Sequence, residues 1–93
     1  MDLDSTVRRN PEVVARGLAE QEGGVLLHLE TGAYHGLNQV GLLIWELLEG
    51  DHTVADLIEG VRARIEGGPP GLEQDVVGFL DSARERDLIL VVE

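Results

Sequence analysis

Val25-Leu26-Leu27-His28-Leu29-Glu30-Thr31-Gly32-Ala33-Tyr34-His35-Gly36-Leu37-Asn38, running on into Gln39 to Glu49, decides how this chain folds. Val25 to Leu29 alternates so that Val25, Leu27 and Leu29 share one face of a strand. Thr31-Gly32 supplies a tight reversal, because glycine accepts the positive φ that a short hairpin turn demands, and Ala33 to Leu37 returns as the next strand. With Thr31-Gly32 at the centre of a two-residue turn, His28 faces His35 across the hairpin and Leu27 shares a face with Tyr34. Asn38 stands where an N-cap belongs, its side-chain oxygen free to take up backbone N–H groups of a helix over Gln39 to Glu49. Val40, Leu43, Ile44, Leu47 and Leu48 recur at three and four residues to give that helix an apolar stripe, and Gly50-Asp51 closes it.

Upstream, Met1 to Glu12 is polar and ends near the turn-prone pair Asn10-Pro11, which reads as a lead-in. Val13 to Ala19 reads as a short first strand, and Glu20-Gln21-Glu22-Gly23-Gly24 as a polar turn. Downstream, Thr53-Val54-Ala55-Asp56 resembles a capping box, opening a second helix with Leu57, Ile58, Val61 and Ile65 inside. Glu66-Gly67-Gly68-Pro69-Pro70-Gly71 breaks the chain. A third helix follows over Leu72 to Arg86, with Leu72, Val76, Phe79, Leu80 and Ala83 on its stripe, and Leu88 to Val92 adds a final short strand. The expectation is an α+β fold, a three-stranded antiparallel sheet followed by three helices in a winged helix-turn-helix-like arrangement. One domain over residues 1–93, with its core at about 13–92, suits the length.

The 93 residues include 43% apolar and 3% aromatic residues and no cysteine. A chain of this size buries roughly 60% of the surface its extended form exposes, so the core is thin. Eighteen acidic residues face seven arginines and no lysine, for a formal net charge of -11. Such a surface repels nucleic acid and anionic lipid. A DNA-binding winged helix is disfavoured on the same ground, since Arg84 and Arg86 stand among Glu73, Asp75, Asp81, Glu85 and Asp87. Without cysteine there are no disulfides, thiolate metal sites or cysteine nucleophiles. Val25 to Leu29 is too short to span a bilayer and Met1 to Arg9 lacks the apolar stretch of a signal peptide, so a cytoplasmic location is expected.

Catalytic candidates are few. Ser5 and Ser82 stand in no nucleophile context, and the histidines are His28, His35 and His52. A hairpin pair of His28 and His35 finds no third metal ligand beyond Glu30, so it reads as a solvent-facing cross-strand pair, with neither metal nor cofactor implied. The glycines at 67, 68 and 71 lack the lysine and preceding strand of a phosphate loop. Trp45 sits mid-helix among leucines, where a core position is the default. The acids of the third helix read as a solvated face. What remains is binding: an edge strand exposes unpaired N–H and C=O groups that accept another chain as an added strand.

Four segments carry a family resemblance: Leu29 to Asn38, Ile44-Trp45-Glu46-Leu47-Leu48-Glu49-Gly50, Thr53-Val54-Ala55-Asp56-Leu57-Ile58, and Asp75-Val76-Val77-Gly78-Phe79-Leu80. In order and spacing they resemble the PqqD-like family, over about Val25 to Leu90. The resemblance implies a non-catalytic recognition element for ribosomally synthesised, post-translationally modified peptides. It takes a precursor leader as a strand beside the third strand, against the third helix. Carried onto this chain, the site comprises Leu27, Ala33, Tyr34, His35, Gly36 and Leu37, with Val76, Val77, Phe79, Leu80, Ala83 and Arg84 along the helix. Glu73, Asp75, Asp81 and Glu85 form an expected acidic rim for a leader with basic residues. The form of the first helix is more similar to members serving lasso-peptide pathways, whose partners would be a separate leader peptidase and an ATP-dependent cyclase. A peptide chaperone of another pathway, such as pyrroloquinoline quinone, is the alternative. The chain departs from the family pattern at Asp87, where a glycine often ends the third helix, and at Pro69-Pro70-Gly71.

Overall fold

The computed structural model describes residues 2–17, 24–65 and 71–92. Its elements are β1 (Thr6–Arg9), β2 (Val13–Gly17), β3 (Gly24–His28), β4 (Tyr34–Leu37), α1 (Gln39–Leu47), β5 (His52–Thr53), α2 (Val54–Arg64), α3 (Leu72–Glu85) and β6 (Ile89–Val92). The α+β class holds: β2, β3 and β4 form an antiparallel sheet in that order, and three helices follow it. Leu18 and Ala19 of the expected first strand, the expected turn at 20–23 and the breaker at 66–70 lie outside the described residues. Among the described residues no helix is long and apolar enough to cross a membrane.

Residues 2–12 are more than a lead-in. Thr6–Arg9 forms the middle strand of a second antiparallel sheet, β5-β1-β6, in which Val7 lies opposite Val91 on one side and His52 on the other. Val7 is fully buried. The Arg8-Arg9 pair hid this strand, yet both side chains have structural uses. Arg8 forms an exposed ion pair with Asp51 at 3.1 Å, the kind of contact that adds little stability. The Arg9 guanidinium lies 5.0 Å from the Trp45 ring centroid and donates through Nε and Nη2 to the Trp45 carbonyl, joining β1 to α1. Asn10-Pro11 does turn the chain: the Val13 N–H donates to the Asn10 carbonyl at 3.0 Å.

The β3–β4 hairpin differs in register from the two-residue turn. A tight turn of that kind asks for positive φ at both central residues, and Thr31, being β-branched, resists it. Gly32 alone in this loop has positive φ, at 74°. The loop therefore widens to Leu29–Gly32: the His28 N–H donates to the Ala33 carbonyl and the Gly32 N–H to the His28 carbonyl. Leu27 stands opposite Tyr34 and Leu26 opposite His35. The shift is by two residues, so Leu27 and Tyr34 still share a face, but His28 and His35 are no longer opposite. Nor does His28 face solvent; with Leu26 it forms the buried side of β3 at 1% exposure. Leu27 and Val25 are on the half-buried outer side.

The caps follow the local sequence. Asn38 Oδ1 accepts from the Gly41 N–H at 2.7 Å, and Thr53 and Asp56 exchange both bonds of a capping box. α3 ends in a Schellman motif, with the Leu88 N–H on the Ala83 carbonyl and the Asp87 N–H on the Arg84 carbonyl. Asp87 occupies the left-handed position at φ 60°. Its side chain compensates for the missing glycine: Oδ2 contacts His28 Nε2 at 3.2 Å and Asn10 Nδ2 at 3.3 Å, and its carbonyl takes a second Asn10 bond at 2.7 Å. Leu26, Ile44, Trp45, Leu48, Leu57, Val61, Val76 and Leu80 join Val7 and Ile89 in one contiguous core. Each large side chain so buried contributes about 1.5–3 kcal/mol.

Candidate functional site

β4 is an edge strand. The His28 N–H points to β4 while the next amide, Leu29 N–H, donates to Glu12 on the β2 side. Alternation then pairs His35 and Leu37 with β3 and leaves the N–H and C=O groups of Tyr34 and Gly36 pointing outward along the open edge. These are the groups a guest strand would use.

Beside this edge runs a groove. A cavity of about 80 Å³ is walled by His35, Gly36 and Leu37 of β4, by Phe79, Ser82, Ala83 and Arg86 on α3 and its C-cap, and by Leu88. Phe79 and Ser82 also line a larger cavity of about 440 Å³, which reaches Asn38, Val40 and Gly41 at the start of α1 and Gln74, Asp75 and Gly78 on α3. Gly41 lets the two helices approach: a Cβ there would stand 2.9 Å from Phe79 Cε1. Phe79, half-buried, is thus wedged between α1 and the edge strand at the centre of the groove. A separate cavity of about 480 Å³ lies between α1 and α2, walled by Leu42, Leu43 and Ile65 and by no residue of β4 or α3.

The residues expected at the site divide by depth. His35, Gly36, Leu37, Phe79 and Ala83 line the groove. Val76 and Leu80 are fully buried beneath it and support the wall from behind. Val77 packs against the core, while Arg84 is exposed and lines neither groove cavity. Ala33 is half-buried at the start of the edge. Leu27 and Tyr34 lie on the outer face of the sheet, Tyr34 at 71% exposure. Of Glu73, Asp75, Asp81 and Glu85, all exposed, Asp75 alone reaches a groove cavity. Sequence reasoning passed over Ser82 and Arg86. Counting from Phe79 by three and four residues marks Asp75, Ser82 and Arg86 as one stripe, and that spacing was available. The groove therefore offers an aromatic centre, a carboxylate towards one end and a guanidinium towards the other.

An open strand edge beside an apolar groove is the geometry by which sheets take up extended peptides. The chain belongs to the PqqD family: residues 23–89 match coenzyme PQQ synthesis protein D (PqqD). It is 39% identical over 61 residues, 66% of this chain and 67% of the relative, to PqqA binding protein 2 of Pseudomonas putida. Among solved structures it is similar to TbiB1 in complex with the TbiA(beta) leader peptide, with 32% identity and a TM-score of 0.73 over 88% of this chain and 93% of that one. It is also similar to a lasso peptide synthetase B1 complexed with the leader peptide, with 29% identity and a TM-score of 0.69 over 90% of this chain and 96% of the other.

Proposed function

We propose that this protein binds the leader region of a ribosomally synthesised precursor peptide, adding it as a strand to the open edge of β4 and against α3. The carrying observation is the pair of outward-facing peptide groups at Tyr34 and Gly36 beside the cavity walled by Phe79. Main-chain pairing would supply affinity, and the cavities on either side of Phe79 would select alternate guest side chains. The protein performs no chemistry itself. In the cytoplasm it delivers the bound precursor to a separate leader peptidase and an ATP-dependent cyclase of a lasso-peptide pathway. Both structural neighbours are complexes with a leader peptide, and the second, a lasso peptide synthetase B1, supports the lasso reading. The net charge of -11 favours a leader with basic residues, drawn in by the overall field more than by the groove itself.

The test is calorimetric titration of the chain with the leader peptide of its own biosynthetic cluster. Saturable binding at micromolar concentration is expected. Tyr34→Pro, which removes the outward N–H at the edge, should weaken binding at least about tenfold, the equivalent of one charge-independent hydrogen bond plus the lost fit. Equal affinity in a variant with unchanged circular dichroism would remove the β4 edge from the mechanism. A second reading, a carrier in pyrroloquinoline quinone synthesis, is favoured by the 39% identity to the PqqA binding protein. Titration with a PqqA peptide in parallel separates the two.

A further inference from the structure

In the register of the β3–β4 hairpin His35 does not stand opposite His28, and the His28 ring meets Asp87 instead. His28 on β3, Glu30 in the hairpin loop and Asp87 after α3 each offer one ligand atom, and these atoms lie within 4.8 Å of one another. The His28 ring, 1% exposed, is aimed at Asp87, with its Nε2 3.2 Å from Oδ2. Its Nδ1 has no hydrogen-bond partner among the described residues. Glu30 and Asp87 are exposed, so the cluster is open to solvent on the carboxylate side.

We propose that His28, Glu30 and Asp87 bind a divalent transition-metal ion of the zinc type. One imidazole and two carboxylates are a three-ligand donor set that leaves a fourth, tetrahedral position for water. Bond lengths of about 2.0–2.2 Å put two ligand atoms of a tetrahedral zinc ion about 3.4 Å apart. The His28–Asp87 pair already stands at 3.2 Å. Glu30 lies on the exposed hairpin loop, and its ligand atom is within 4.8 Å of the other two. Mg²⁺ keeps near-octahedral oxygen coordination and several of its own waters, so it fits this set poorly. Asn10, buried at 6% exposure, donates to both the carboxylate and the carbonyl of Asp87 and holds that ligand from outside. His28 Nδ1 lacks the equivalent acceptor, which lowers the affinity relative to a site whose imidazole is held from behind. A bound ion would fasten the hairpin loop that carries β4 to the end of α3, and so fix the two walls of the groove to each other.

The experiment titrates zinc chloride into the full chain, following heat of binding and thermal denaturation, with magnesium chloride as the control. One zinc ion per chain and a zinc-dependent rise in Tm are expected, with no rise in magnesium. Glu30→Gln leaves the His28–Asp87 contact in place and removes one ligand; zinc affinity should fall at least about tenfold. His35→Ala should leave zinc binding unchanged. An unchanged Tm in zinc, equal zinc affinity in Glu30→Gln, or a comparable loss in His35→Ala would each overturn the assignment. None of these readouts involves the leader peptide, so the result stands apart from the proposed function.

Discussion

Gly41→Ala tests whether the close approach of α1 to α3 is what holds Phe79 in the groove. In a helix interior alanine is favoured over glycine by about 1 kcal/mol. Against this, the new Cβ would stand 2.9 Å from Phe79 Cε1 and 3.3 Å from Asn38 Oδ1, the oxygen that caps α1. Overpacking of this kind costs about 1–3 kcal/mol, so the variant should be destabilised by up to about 2 kcal/mol. In a Phe79→Ala background the clash with the ring is gone, the Asn38 contact alone remains, and the same substitution should stabilise by up to about 1 kcal/mol. The double-mutant cycle should therefore return a coupling of about 1–3 kcal/mol. Urea unfolding followed by the fluorescence of Trp45 reads it directly, because this is the chain's one tryptophan and it is 3% exposed in the fold. Leader binding by Gly41→Ala should weaken too, since a ring pushed away from residue 41 changes the shape of both groove cavities it lines. If Gly41→Ala stabilises the parent chain as much as it stabilises Phe79→Ala, the contact is not restraining the ring and the reasoning fails.

Three further predictions concern other parts of the molecule. Val7→Ala removes the equivalent of two buried methyl groups from β1 and should cost about 2 kcal/mol, a fall in Tm of about 10 °C for a chain this small; a shift within error would return residues 2–12 to a dispensable lead-in. Asp87→Ala keeps the left-handed backbone but strips His28 and Asn10 of a partner, so it should lose about 1–3 kcal/mol in chemical denaturation. Asp87→Gly relieves the backbone and should recover about 1 kcal/mol of that. The leader's association rate, measured by stopped flow, should fall as salt rises while its dissociation rate changes little; a salt-independent association rate would leave the acidic surface with no part in capture.

What the sequence made legible was what short-range chemistry decides. Asn38, Thr53 and Asp56 cap their helices through partners three residues away, and each was readable in place. The alternation of β3 was readable too, but not its inner side: His28 looks polar and is buried because Asp87, 59 residues on, meets its ring. β1 escaped for a related reason. Its partner residues in β6, Ile89 to Val92, are 80 or more positions away, and only one of its four side chains is apolar. The family resemblance pointed to the edge strand and to α3, but the resemblance alone does not say which residues of a helix face outward. Val76 and Leu80 lie beneath the wall, while Ser82 and Arg86 form part of it.

The pairing of β1 with β6 sets Thr6 opposite Val92 and Arg9 opposite Ile89. Residues 6 and 92 thus enter the ladder from the same end. A force drawing these two residues apart would load the first rung alone and then each rung in turn, as in a zipper, rather than shearing all of them together. Resistance to such a pull should be low along this seam. Once it opened, Val7 would leave the core and the Arg9 contact with Trp45 would part, so mechanical unravelling should proceed from the second sheet inwards and report itself as a change in tryptophan fluorescence.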